Sequence, residues 1–151
     1  MSAVTFRTAL RDDVAAVIAL LRDDSLGQTR EGADLAPYLN AFDAMNAEAG
    51  NTLVVGELDG RVIATYQLTL ISGLSLRAAR RAQIESVRVD SNLRGQGIGR
   101  AMFADAETRA RAAGCTLIQL TMNATRNESA RFYESLGFVP SHVGFKRQLQ
   151  D

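Results

Sequence analysis

Apolar residues at Val14, Val17, Ile18 and Leu21 recur at helical spacing, and Asp12 or Asp13 stands where a helix cap would. Ahead of them residues 4–10 read as a short strand; behind them residues 24–34 are polar and contain glycine, the composition of a loop. Leu39, Phe42 and Met45 lie on one stripe of a second helix predicted over residues 35–48 and ended by Gly50. Two β-rich runs, residues 52–58 and 61–71, meet at Asp59–Gly60, a strong signal for a two-residue hairpin. Residues 84–90 read as another strand, on which strict alternation places Glu85, Val87 and Val89 on one face. A long helix begins near Gly97, carries Ile98, Ala101, Met102, Ala106, Ala110 and Ala113 along one side, and stops at Gly114. Residues 116–122 form a buried-looking strand. Asn127 is then placed to cap a helix with Ala130, Tyr133 and Leu136 inward and Gly137 at its end. A final strand is expected from Phe138 onward.

Strands, a hairpin and then strand–helix–strand–helix–strand predict an α/β or α+β sheet with helices packed on it. The helix after residues 84–90 makes a right-handed crossover to a parallel partner at residues 116–122. No linker, repeat or low-complexity run divides residues 1–151, so one domain is expected. Seventeen Lys and Arg balance seventeen Asp and Glu, which argues against a nucleic-acid coat or a polybasic membrane binder. With one Cys and one His, neither an internal disulfide nor a familiar zinc framework is available. Cys115 reads as buried packing, and His142 as a surface or hairpin residue. Arg7, Arg11, Asp12 and Asp13 come too early for the apolar core of a signal peptide. The longest charge-free stretch, residues 62–76, is interrupted by polar residues and is shorter than the ~20 residues of a spanning helix. The expectation is a soluble, cytoplasmic protein without a membrane partner.

Candidate chemistry concentrates where the strand at 84–90 gives way to the long helix, through Arg94-Gly95-Gln96-Gly97-Ile98-Gly99-Arg100. Glycines let a backbone turn sharply and approach a ligand, and the free N–H groups of a helix N-terminus bind phosphate oxygens. Arg94 and Arg100 flank this cradle and can add charge-assisted bonds. A pyrophosphate is the functional reading; a turn that needs glycine only for its conformation is the plain one. The dinucleotide fingerprint fails because Arg100 stands where a small residue is required, and no Gly-Lys-Ser/Thr follows to make a P-loop.

The run Arg94-Gly-Gln-Gly97-Ile-Gly99 resembles the Q/R-x-x-G-x-G/A pattern of the GCN5-related N-acetyltransferases, the GNAT superfamily. A second stretch, Asn127-Glu-Ser-Ala130-Arg-Phe132-Tyr133-Glu-Ser-Leu-Gly137-Phe138, is similar to that family's Asn…Ala…Phe-Tyr…Gly-Phe segment. The strand Ile84-Glu-Ser-Val-Arg-Val-Asp90 is similar as well, so the resemblance covers residues 84–139. It implies a mixed, mostly antiparallel sheet with a central parallel pair splayed to hold acetyl-CoA, and helices on both faces. It also implies that backbone N–H groups from Gly95 to Arg100 bind the pyrophosphate and that main-chain groups of Val87 and Val89 pair with the pantetheine arm. By the same resemblance the strand bulges, Asn127 contacts the cofactor, and Tyr133 protonates the departing thiolate.

Acetyl transfer to a primary amine needs a neutral nucleophile, a polarised thioester carbonyl and a protonated leaving thiolate. Backbone N–H groups near Val87 can polarise the carbonyl. A tyrosine, with an ordinary pKa of about 10, is matched to a thiol leaving group. Glu85 is the candidate base: an acid in an apolar row, partly buried, has its pKa raised toward neutrality, while pairing with a neighbouring arginine such as Arg88 is the plain reading. The resulting expectation is an N-acetyltransferase working by direct attack in a ternary complex, with acetyl-CoA and an amine as partners, no metal, and a homodimer left open. Two alternatives stand beside it: a non-catalytic acyl-CoA-binding module, and a nucleotide-binding enzyme.

Overall fold

A computed structural model of the chain describes residues 3–23 and 27–149. Strand β1 (Thr5–Thr8) leads through a 3-10 turn at Arg11–Asp13 into α1 (Val14–Arg22), the single turn α2 (Gly27–Arg30) and α3 (Ala36–Ala47). Strands β2 (Asn51–Leu58) and β3 (Arg61–Ile71) follow, then the turn α4 (Ser75–Ala78) and β4 (Arg81–Val89). A 3-10 turn at Ser91–Leu93, α5 (Ile98–Ala112), β5 (Leu117–Leu120) and α6 (Asn127–Ser135) complete the series. The strands lie in the order β1-β2-β3-β4-β5; every pairing is antiparallel except β4 with β5. Of the loop expected over 24–34, residues 24–26 lie outside the described residues, and Gly27–Arg30 winds one helical turn.

The hairpin forms where its turn chemistry placed it. Asp59 and Gly60 both take positive φ, +51° and +78°, the primed turn whose twist matches that of the strands it joins. Asp13 does not cap α1 forward; its carboxylate accepts from the Leu10 backbone N–H at 2.7 Å and pairs with Arg7 at the same distance. That pairing holds the Asp13 carboxyl below the ordinary range. Its contribution to stability is therefore present above that range and fades as pH falls through the lowered value.

Two apolar layers sandwich the sheet. Val54, Tyr66, Leu68, Ala82 and Ile84 belong to the core shared with α5, through Met102, Phe103, Ala106 and Ala110. Val55 instead meets Val14, Val17 and Phe42 from α1 and α3. On α5 the inward stripe differs by one position from the alanine row expected: Ala101 is exposed and Phe103 is buried. Tyr66 is the largest fully buried side chain, and its hydroxyl donates to Asp105 Oδ2 at 2.5 Å. Arg109 Nε donates to the same oxygen at 2.8 Å and Arg109 Nη2 reaches Phe6 O at 3.3 Å, so one network ties α5 to β3 and β1. Tyr66→Phe keeps the packing and removes the donor, and is expected to cost about 1–3 kcal/mol in urea denaturation.

The final strand does not form. Residues 138–149 carry no ladder, so the parallel pair stands at the margin of the sheet among the described residues. Pro140 has no N–H to give, and β5 is only four residues long, so little ladder is on offer locally.

Candidate active site

The parallel pairing of β4 with β5 ends at Ile84↔Leu120, while β4 runs on to Val89. Past that point the two chains part, and no strand among the described residues lies along that edge of β4. The parting coincides with a bulge. On the β3 side Gln67 faces Glu85 and Thr65 faces Arg88, so Ser86 and Val87 together oppose Tyr66. Ser86 takes φ +54°, a left-handed conformation that costs a residue with a Cβ on the order of 1 kcal/mol and persists only where the surroundings impose it. A bulge of this kind bends its strand and re-aims the side chains after it.

The extra residue overturns the strand's expected alternation. Val87 joins Tyr66, Ile84, Met102, Phe103 and Ala106 in lining one small void against α5, and Val89 faces the same core. Glu85 shares its face with Arg88 instead, and it is exposed rather than partly buried. The apolar row that was to surround it is on the other side of the sheet.

Beyond Val89 the chain enters the glycine turn. Asp90 Oδ1 accepts from Asn92 N–H at 2.9 Å, and Gly95 and Gly97 take φ +79° and +81°. A Cβ built on either glycine meets nothing within 4 Å, so their conformation and not crowding is what demands glycine, and the turn is open to a ligand. Ala101 N–H makes the first intrahelical bond, to Gly97 O at 3.1 Å. The N–H groups of Ile98, Gly99 and Arg100 precede it and are left for an anion at the positive end of α5. Arg94, Gln96 and Arg100 are exposed around this end, and Arg100 Nη2 also reaches Ser135 Oγ of α6 at 3.3 Å. Gly99 serves packing: a Cβ there would come 3.1 Å from Phe132 Cζ.

That close approach brings α6 beside α5. Tyr133 stacks edge-on to Phe103 at 5.6 Å and to Phe138 at 6.1 Å. Burial raises its pKa, and the charges of Arg88 and Arg126 oppose the shift without cancelling it. Arg126 was not singled out from sequence, and Arg88 only as a pairing partner for Glu85, whose face of β4 it shares. Asn127 is exposed as the first residue of α6, with Arg126 and not Asn127 in the capping position.

Other candidates stay apart. Arg77, Arg80 and Arg81 form a basic run in the sequence that a CoA phosphate could use; they lie from α4 to the first residue of β4, about 25 Å of strand away from the glycine turn at its end, so a phosphate held there is not theirs. Arg80 donates to Ser72 Oγ at 2.7 Å. Cys115 is buried beside α5, and His142 is exposed with Nδ1 2.6 Å from Ser141 Oγ.

A parted parallel pair, a bulge at the parting, and a glycine turn feeding a helix N-terminus coincide with a match to the acetyltransferase (GNAT) family over residues 15–138. The chain belongs to that family. Over 67 residues it is 39% identical to the aminoalkylphosphonate N-acetyltransferase of Salmonella typhimurium, a stretch that is 44% of this chain and 44% of that protein. A Bacillus halodurans protein described as a transcriptional regulator superposes with a TM-score of 0.93 at 37% identity, covering 97% of this chain and all of its own (100%). The glucosamine-6-phosphate N-acetyltransferase of Arabidopsis thaliana shares the fold at a TM-score of 0.81 and 19% identity, over 98% of this GNAT chain and 99% of its own. Among the described residues no helix is long and apolar enough to cross a membrane, and no group of three His, Cys, Asp or Glu side chains is placed to hold a metal ion.

Proposed function

We propose that this GNAT protein is a cytoplasmic N-acetyltransferase that carries acetyl from acetyl-CoA to a primary amine in a ternary complex. The observation that carries the reading is the alignment of an unpaired β4 edge with an open helix N-terminus at its end. The N–H groups from Gly95 to Arg100 take the pyrophosphate, with Arg94 and Arg100 adding charge and the Gln96 and Ile98 backbones completing the turn. Main-chain groups of Val87 and Val89 pair with the pantetheine amides, as a strand would, and Asn127 reaches the cofactor from α6.

The amine lone pair attacks the thioester carbonyl carbon, and the oxyanion that forms is held by backbone N–H near Val87. Collapse breaks the C–S bond, and the departing sulfur takes the Tyr133 phenolic proton. The proton lost by the amine passes through water to Glu85, whose exposure suits a relay better than direct contact. The named relative's substrate class, an aminoalkylphosphonate, makes amines that carry an anionic group the first acceptors to try.

The test is thermal unfolding with acetyl-CoA, CoA, NAD and ATP in parallel, followed by CoA-thiol release in the presence of an amine panel. Acetyl-CoA at 100 to 1,000 times its Kd is expected to stabilise by about 2.7–4.1 kcal/mol. Stabilisation by NAD or ATP alone would end the reading; stabilisation by acetyl-CoA with no transfer to any amine would leave only a binding module. Gly97→Val places a β-branched side chain at φ +81° and in the mouth of the turn. It is expected to weaken acetyl-CoA at least about tenfold, read by calorimetry, since the left-handed conformation alone costs roughly 1–2 kcal/mol.

A further inference from the structure

Two groups of arginines stand without a carboxylate, at opposite ends of β4. Among the described residues Arg7, Arg11, Arg61, Arg109 and Arg111 each lie against an Asp or Glu. Arg94 and Arg100 do not, and their charge serves the phosphate end of the site. Arg77, Arg80 and Arg81 do not either, and the cofactor's phosphates lie too far along the strand to use them. They surround the end of the β3–β4 hairpin, where Leu74 and Leu76 are 93% and 72% exposed. Leu76, Arg77 and Ala78 take φ +52°, +59° and +60°, a left-handed turn built from residues that all carry a Cβ. Strain of that kind clusters at ligand clamps and active sites.

The sheet face that joins this end to the parting is polar. Residues directly opposite each other across a ladder share a face. Gln67 faces Glu85, Thr69 faces Gln83, and Gln119 faces Gln83 from β5, so these five side chains lie together. Next along the same face Ile71 and Leu117 flank Arg81. The helices α1 and α3 close over Leu53 and Val55 of that face, but leave Glu85 exposed and Gln67, Gln83 and Gln119 half-buried. Gln119 Nε2 donates to Gln83 Oε1 at 2.7 Å, and Gln67 Nε2 donates to Asn51 Oδ1 at 3.0 Å. That leaves Gln83 Nε2 as a donor and Gln67 Oε1 and Gln119 Oε1 as acceptors, the complement of a peptide's C=O and N–H groups.

This polar track has a fixed length. Arg81 stands four residues before Glu85, about 13 Å along β4, and its Nη1 lies 3.3 Å from the Cβ position of Gly73 at the hairpin end. An amine whose anionic group is adjacent cannot touch both ends. An extended peptide covers the distance in four residues. We infer that the acceptor is the N-terminus of a polypeptide laid along this face. Its α-amine sits at the parting beside the Glu85 relay, acidic side chains at its fourth and fifth residues meet Arg77 and Arg81, and an apolar residue after them packs on Leu74 and Leu76. The inference rests on the transfer reading above and narrows its acceptor.

The test follows free CoA with three acceptors, the peptides Ala-Ala-Ala-Glu-Glu-Leu and Ala-Ala-Ala-Lys-Lys-Leu and aminomethylphosphonate, alongside acetyl-CoA binding by thermal shift. The kcat/KM for the acidic peptide is expected to exceed that for the basic one by about tenfold or more at low salt, and the gap to narrow as salt rises. An exposed ion pair is worth up to about fivefold, two are available, and the basic peptide adds repulsion. Arg77→Glu combined with Arg81→Glu is expected to invert the preference, through KM rather than kcat, with acetyl-CoA affinity unchanged. A merely structural role would not produce that inversion. Arg77→Glu alone, at an exposed position on which the fold does not depend, is expected to narrow the gap. Equal use of the two peptides, a higher kcat/KM for aminomethylphosphonate, or a preference untouched by the reversals would overturn the inference and leave the transfer reading standing. Acetyl-CoA bound with no acceptor used would overturn both.

Discussion

Replacing Tyr133 with Phe is expected to lower kcat for acetyl transfer by about 10²–10³-fold, while the affinity for acetyl-CoA and the Tm stay close to wild type. A positioned general acid contributes roughly 10²–10⁴-fold, and the phenol is the only group this substitution removes. The ring stays, so its edge-on contacts with Phe103 and Phe138 survive and the α5–α6 junction keeps its shape. Burial raises the Tyr133 pKa above the ordinary tyrosine value, so the phenol is fully protonated at neutral pH and remains a donor where a free tyrosine would ionise. Any loss of wild-type kcat from this group is therefore expected at higher pH than an ordinary tyrosine, with its pKa of about 10, would give. The same shift has a stability consequence of fixed sign: the folded protein keeps a proton that the unfolded chain loses, so this stabilisation is complete below about pH 10 and fades above it. Steady-state kinetics across pH, with free CoA as the readout, checks the first statement, and denaturant unfolding across pH the second. An unchanged kcat in Tyr133→Phe would leave the residue a packing aromatic and return the thiolate's proton to solvent.

Much of this site could be read from the sequence because its parts are local. Asp59–Gly60 makes a turn out of adjacent residues, and the Gly95 and Gly97 conformations follow from a glycine pattern a few residues long. Phe132, Tyr133 and Gly137 lie in one short motif, so α6 and its tyrosine were found with it. Features that depend on distant partners were not legible. The Tyr66–Asp105–Arg109 network joins residues 39 apart in the chain, and nothing near Tyr66 in an apolar strand announces an acidic partner on a helix. On α5, counting at helical spacing cannot tell which of Ala101 and Phe103 turns inward; the sheet below settles it for Phe103. The strand expected from Phe138 onward carries no ladder; composition does not say whether a neighbouring edge is long enough to receive one.

The face of Glu85 was misread for a related reason: alternation assumes one residue opposite one residue, and β4 carries an extra one. That suggests the second large effect. Deleting Ser86 is expected to leave the fold as stable as wild type or up to about 1 kcal/mol more so, and to reduce acetyl transfer by more than about 10²-fold. With Ser86 gone, Val87 alone opposes Tyr66, Glu85 still faces Gln67 and Arg88 still faces Thr65. No side chain changes sides of the sheet, and the strain of the φ +54° residue disappears. What is lost is the bend. A straight β4 continues alongside β5 past Ile84↔Leu120, which closes the parting between the two strands. Reacting groups must sit about 3–3.5 Å apart, and a closed parting leaves no room for them between β4 and β5, which is why the rate and not the stability should fall. Ser86→Gly is the control, since it keeps the extra residue, relieves the left-handed strain and should retain activity. Denaturant unfolding and kcat/KM on the three proteins decide the matter: transfer at wild-type rate in the deletion would mean that the parting of β4 from β5 does not depend on the bulge, and the geometric basis for the mechanism would have to be sought elsewhere.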